Sequence, residues 1–310
     1  MDNQKIELAV TEYVDNNVDF SVFKKFNIVF WLLSLPILAS IIFLSVYFVM
    51  GFDNIQMWLV ILVFVVFLGI PVIILGIVSV YWSKKKKQAT TKLQEKVLEL
   101  YNPYLNVNHS DLGLKIVEIR QFMTPDGRFY GFVLETNEGS KIEFLPREVE
   151  HRSGTGSNKH KYYITTIEMW AYAENIKNIK LLRFFGGKKT REGSDNNFVS
   201  ESIDFNNNFR VVTEDKFEAA KFFDPSRIEN IINNKQLLKN NNFIIESGCC
   251  YYKDVKRTNS YKGNSIADVG KLFSINRNKF IKKIMKDLQR DTKNLKDTFE
   301  TVSAIQIYEK

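Results

Sequence analysis

The side chains best suited to chemistry in this 310-residue chain are few and scattered. His109, His151 and His160 are the three histidines. None falls in an H-E-x-x-H or comparable ligand spacing, so they read as surface or loop residues rather than a metal set. Cys249 and Cys250 are neighbours. In a strand they point to opposite faces, one buried as a small hydrophobe and the other turned outward, and a reducing compartment disfavours a strained bridge between them. Two basic, glycine-bearing loops, 151–161 with Gly154, Gly156 and Ser157, and 186–193 with Gly186-Gly187-Lys188-Lys189-Thr190, have the composition of phosphate cradles. A P-loop needs G-x-x-x-x-G-K-[ST] between strand and helix, whereas position 182 is Leu and a second Lys displaces the hydroxyl. The acidic pairs Asp195/Glu201 and Glu214/Asp215 show nothing that would separate their pKa values, and Asp215 fits a helix start better. The residues therefore predict no catalytic set, no cofactor and no metal.

The elements that would position any site begin with two apolar runs. Ile28 to Met50 has no charged residue over 23 positions, and Trp58 to Trp82 none over 25. Each exceeds the roughly 20 residues needed to cross a bilayer core, and neither has the polar face of a soluble core helix. Pro36 and Pro71 are tolerable kink points in such spans. Asp2, Glu7, Glu12, Asp15 and Asp19 precede the first run, against the pattern of a cleaved leader. A multi-helix transporter is disfavoured by the lack of ionisable residues within several spans. The link Gly51 to Met57 has no Lys or Arg, while Lys24-Lys25 precede the hairpin and Lys84-Lys85-Lys86-Lys87 follow it. The positive-inside rule predicts a two-pass protein of the cell membrane with both termini and the main domain cytoplasmic. Ile6, Val10, Tyr13 and Val14 predict a short amphipathic helix within residues 1–26, to lie on the bilayer or dock on the domain.

Residues 83–310 carry 40 basic and 29 acidic side chains, which favours adhesion to an anionic leaflet. Lys84, Lys85, Lys86 and Lys87 are the candidate headgroup contacts, membrane lipids the expected partners, and residues 83–104 a basic juxtamembrane helix ended by Asn102-Pro103. Nucleic acid is disfavoured, since no helix-turn-helix, zinc finger or aromatic RNA-binding pattern accompanies the charge. Residues 105–310 predict an α+β domain. Leu114 to Phe122, Phe129 to Thr136 and Lys141 to Leu145 form a meander with turns at Gly127 and Gly139, and Tyr162 to Tyr172 a long strand. Phe205 to Val212 is read as a strand, Asp215 to Phe223 as a helix packing Phe217, Ala220 and Phe222, and Asp224-Pro225 as a cap and first turn before Ile228, Ile231 and Ile232. Phe243 to Tyr252 is read as one strand, with a hairpin across Lys256 to Ser260, and Asn276 onward as one long helix. Its Ile281, Leu288, Leu295 and Val302 are spaced by seven, but Asp291 and Thr298 interrupt the alternate seam, which favours packing on the domain's sheet over a coiled coil. Its face of Lys279, Lys282, Lys283, Lys286, Arg290, Lys293 and Lys296 is expected in solvent.

Phe205, Phe209, Val211, Asp215, Ala219 and Pro225 spell F-x3-F-x-V-x3-D-x3-A-x5-P. This stretch resembles the signature of a bacterial membrane-protein family catalogued as domain of unknown function 3137, departing from it at Phe223-Asp224. The resemblance implies two N-terminal spans, an α+β cytosolic domain with an apolar C-terminal helix, and structural rather than catalytic signature residues. The expectation is a membrane protein with two transmembrane α-helices and a cytosolic α+β domain of antiparallel strands, serving as a non-enzymatic interaction or scaffold protein with a protein partner. The alternative is a membrane-proximal enzyme or binder of a phosphate-bearing or lipid ligand acting through the two basic loops.

Overall fold

The computed structural model describes residues 3–50, 61–62, 64–153, 160–187, 196–258 and 269–308. Helix α1 (Asn3–Asn17) buries Ile6, Val10, Tyr13 and Val14 along one stripe. It docks on the domain: the Tyr13 hydroxyl donates to the Leu93 carbonyl at 2.5 Å, and Arg277 donates to Asp15 at 2.5 and 2.7 Å. That contact settles the choice the sequence left open. Helix α2 (Phe20–Met50) contains Pro36 and leaves Trp31 and Leu32 more than 60% exposed. Its partner α3 (Ile70–Glu95) follows a π-helical turn at Phe64–Gly69. The wider turn relieves the clash of the Pro71 ring with the preceding carbonyls. Gly51 to Met57, with Asp53, and the start of the second run lie outside the described residues.

The juxtamembrane helix runs differently from the sequence expectation. It breaks at Lys96–Val97 and resumes as α4 (Leu98–Asn108), which passes through Pro103 instead of ending there. Asn102 is held by β1, donating to the Ile116 carbonyl and accepting from the Ile116 N–H, both at 2.9 Å.

Among the described residues the domain is one antiparallel sheet of nine strands in the order β1-β2-β3-β4-β9-β8-β5-β7-β6. The meander is present as β1 (Leu114–Thr124), β2 (Gly127–Thr136) and β3 (Lys141–Ser153), and both turn glycines have positive φ. β4 (His160–Tyr172) pairs along the whole of β3. β5 (Leu182–Gly186) and β6 (Asn197–Phe198) flank β7 (Phe209–Thr213).

The expected strand Phe205 to Val212 is instead helix α5 (Ile203–Asn208) followed by β7. Ser202 caps it by accepting from the Phe205 N–H, and Phe205 on the helix and Phe209 at the start of β7 are both buried. Helix α6 (Lys216–Phe222) is capped by Asp215, and α7 (Pro225–Asn233) by Asp224 with Pro225 at its start. Ile231 is fully buried, Ile228 and Ile232 half-buried. Helix α8 (Lys235–Leu238) leads into β8 (Asn242–Glu246). The expected single strand Phe243 to Tyr252 is a hairpin of β8 and β9 (Cys249–Thr258), because Ser247 and Gly248 both take positive φ, of 47° and 87°. The expected turn across Lys256 to Ser260 ends outside the described residues, since β9 itself continues to Thr258.

After α9 (Val269–Leu272), α10 (Arg277–Ser303) lies against β3 and β4. Ile281, Leu288, Leu295 and Val302 are all buried, as are Ile284 and Ile305. One apolar core is shared by α1, α4, α10 and a single face of the sheet.

Candidate functional site

The four juxtamembrane lysines continue α3 and divide by helical phase. Lys84 and Lys87 are exposed, three apart on one side. Lys85 and Lys86 are half-buried, Lys85 at 5.6 Å from the centre of the Tyr81 ring and Lys86 at 5.6 Å from that of Phe273. Lys86 thus joins an aromatic cluster of Phe20, Phe23, Phe273 and Phe280, which ties the base of the hairpin to α10.

The central residues of both basic loops lie outside the described residues: Gly154, Gly156 and Ser157 in one, Lys188, Lys189 and Thr190 in the other. The described flanks of the first are internally paired. Glu150 meets Arg152 at 2.9 Å and Lys161 at 3.3 Å, and Arg257 stacks at 3.9 Å over Tyr162, which itself stacks on His151. Asp195 also lies outside the described residues.

Two buried charge networks were not foreseen. Under α10, Asp291 is 2% exposed and accepts the Tyr101 hydroxyl at 2.9 Å. Arg290 reaches Asp291 at 3.2 Å and Asp287 at 2.7 Å. Arg290, expected on the solvated lysine face, is thereby turned inward, because its guanidinium neutralises both acids of its own helix. Burial outweighs the pull of Arg290 and raises the Asp287 carboxyl to about 6. A cleft of about 260 Å³ opens beside this cluster, with Glu148, Thr165 and Lys256 on its sheet side. On the opposite face of the sheet Arg147 engages Glu168 and Asp126, and Glu168 accepts the Tyr251 hydroxyl at 2.7 Å. Trp170 stacks between Phe122 and Tyr251 beside them. Asp291 and Glu168 each have one oxygen on a guanidinium and the other on a phenol, which makes these two carboxylates clamps. Sequence spacing missed them because Tyr101 and Asp291 are 190 positions apart.

The other notable place is built by the stretch 205–225. Phe205, Phe209, Val211 and Ala219 are buried, Asp215 caps α6 and Pro225 opens α7. Phe223 sits against Phe184, Phe198 and Phe205. These elements enclose a groove of about 730 Å³ beside the edge strand β6, floored by Phe198, Phe223, Ala220, Ile228 and Ile232. Phe217, expected to pack inward, is 68% exposed with Lys221 over its ring at 4.2 Å. Capping by Asp215 fixes the phase of α6, and that phase turns Ala219 and Phe222 inward.

Cys249 is half-buried and Cys250 fully buried, both as free thiols, and burial pushes both pKa values up. The low thiolate fraction makes them packing residues. His109 ends α4 and meets Tyr104 edge to face, and burial holds its imidazole below the usual range. No group of acids, histidines and cysteines among the described residues is arranged to hold a metal ion. Comparison of the chain with protein-family models, with curated proteins and with solved structures gives no match.

Proposed function

We propose that the chain is a two-pass membrane protein that holds a cytoplasmic interaction domain at a fixed position on the bilayer and recruits a protein partner there without catalysis. The observation that carries this reading is the outward-facing apolar surface of α2 and α3: Trp31, Leu32, Ile73, Ile77 and Val80 are 62–72% exposed. Water would oppose such a surface strongly, and lipid accepts it. Helix α3 then runs without a break from that surface to Leu93 in the domain core. A rigid helix of this kind, braced by α1, positions a domain rather than tethering it. Membership in the domain of unknown function 3137 family is part of the proposal. Its support is that each of Phe205, Phe209, Val211, Asp215, Ala219 and Pro225 has a packing, capping or helix-start role.

Labelling of introduced cysteines from outside intact cells tests the placement. A cysteine at Asn54 is expected to react and one at Thr190 to stay protected. Reaction at Thr190 overturns the cytoplasmic assignment. The reading as an enzyme on phosphate-bearing or lipid ligands gains no support from the described loop flanks, whose charges are spent on Glu150 and Tyr162.

A further inference from the structure

We infer that the groove beside β6 is the partner-docking site of this domain, and that it takes a short apolar peptide segment flanked by Lys or Arg. The inference rests on the interaction-protein reading above and names the chemistry of the partner. The groove is apolar on its floor; Val199 in its lining is 73% exposed, and Ile203, which follows the lining residue Ser202 in the chain, is 77% exposed. Neither faces the core that fixes the fold. A contiguous apolar surface of this kind on a soluble domain marks a contact with another chain. Its place beside the edge strand suits a peptide segment rather than a compact small molecule.

Charge selects the occupant. The ionisable residues lining the groove are Glu201 and Glu229, both exposed and neither in an ion pair among the described residues. They stand out on a segment, 83–310, that has 40 basic against 29 acidic side chains. An acidic rim around an apolar floor attracts a basic-flanked apolar peptide and repels acidic ones. A second copy of the chain is the competing occupant, and it is treated as an outcome of the test.

The experiment pans a displayed random-peptide library over the full chain in neutral-lipid nanodiscs, with empty nanodiscs to remove lipid binders. Selected peptides are then synthesised and titrated against wild type, Ile203→Glu and Glu201→Lys/Glu229→Lys. All substituted positions are exposed, so folding is preserved, and unchanged thermal midpoints verify it. The expected result is enrichment of peptides with paired apolar residues and net positive charge. They should bind Ile203→Glu at least about tenfold more weakly than wild type, and the double reversal should turn the charge preference over. No enrichment, enrichment of acidic peptides, or equal binding to Ile203→Glu overturns the inference. So does a wild-type dimer in sedimentation that Ile203→Glu dissolves. Any of these leaves the cytoplasmic labelling pattern unchanged, whereas labelling at Thr190 defeats the wider reading by itself.

Discussion

Beneath α10, polar groups are buried and satisfy one another; beside β6, apolar groups stand exposed to solvent. Asp287, Arg290, Asp291 and Tyr101 close a network at the centre of the fold. Val199, Ile203 and Phe217 spread over the end of the sheet with more than two thirds of their surface in solvent. Buried paired charge costs desolvation and repays it in geometry, so it serves the architecture. Exposed apolar surface contributes nothing to folding and is retained where another molecule covers it. The same chain therefore sets a structural polar site against the apolar surface proposed as its contact site, the reverse of the usual association of charge with function.

The sharpest way to break this comparison is to place a carboxylate on either side of it. Ile231→Asp buries an unpaired charge at a position with no exposure and is expected to cost about 4 kcal/mol or more, enough to unfold a domain of ordinary stability. Ile228→Asp, half-buried, should cost less, and Ile203→Glu, exposed at the start of α5, within about 0.5 kcal/mol of nothing. Limited proteolysis and thermal midpoints rank the three. Protease resistance in Ile231→Asp would show that α7 does not pack as described.

The next effect comes from the network itself. Asp291→Leu removes the carboxylate that accepts the Tyr101 hydroxyl and pairs with Arg290, with an expected loss of about 3 kcal/mol. Combining it with Tyr101→Phe should cost less than the sum of the two single losses, since both substitutions remove the same hydrogen bond. Additive losses in the double variant would mean the two groups are not coupled.

Part of this was legible in the sequence and part was not. The seven-residue spacing of Ile281, Leu288, Leu295 and Val302 identifies the buried stripe of α10, because helical periodicity records burial directly. Asp224-Pro225 and Asp215 identify helix starts, because caps are local chemistry. Residues 203–208 were misread because Phe205, Phe209 and Val211 satisfy a period of two and a spacing of four at once, and only the Ser202 cap decides between them. The hairpin at Ser247-Gly248 was hidden by β-rich flanks that read as one continuous strand. The charge network was out of reach, since Asp291 reads as a seam defect until Tyr101 and Arg290 are placed beside it. The groove was equally hidden: nothing local distinguishes the exposed Ile203 from the buried Ile231.

Protonation sharpens the structural half of the comparison. The ordinary value of Asp287 is 3.8 and burial raises it to about 6, so between these values the folded state binds more protons than the unfolded one. Stability from this group is therefore greatest at low pH and declines as pH rises through the window. Wild type measured against Asp287→Asn should lose about 2 kcal/mol of relative stability from roughly pH 4 to pH 7. Matched denaturation curves of the two proteins check it. A difference independent of pH would mean that Arg290 compensates the burial of Asp287 completely.

The smallest effect concerns the tetralysine, where the division between packed and free groups recurs within four residues. Lys85 and Lys86 lean on Tyr81 and Phe273, whereas Lys84 and Lys87 face outward on one side of α3. Reversing Lys84 and Lys87 to Glu should remove adhesion of the domain to anionic lipid, worth about 1 kcal/mol per lysine before screening, and leave the thermal midpoint unchanged. Reversing Lys85 and Lys86 should instead lower the midpoint by disturbing the aromatic cluster at the base of the hairpin, at a cost of about 0.5–1 kcal/mol for each cation–aromatic contact. The distance from a fluorophore at Asn196 to labelled lipid, in anionic and neutral nanodiscs at two ionic strengths, reads the first effect, and calorimetry the second. If the distance ignores lipid charge and salt in wild type, the outward pair acts only in setting orientation during insertion. If both reversals change the same observable, the four lysines act as one collar and the helical phase does not divide them.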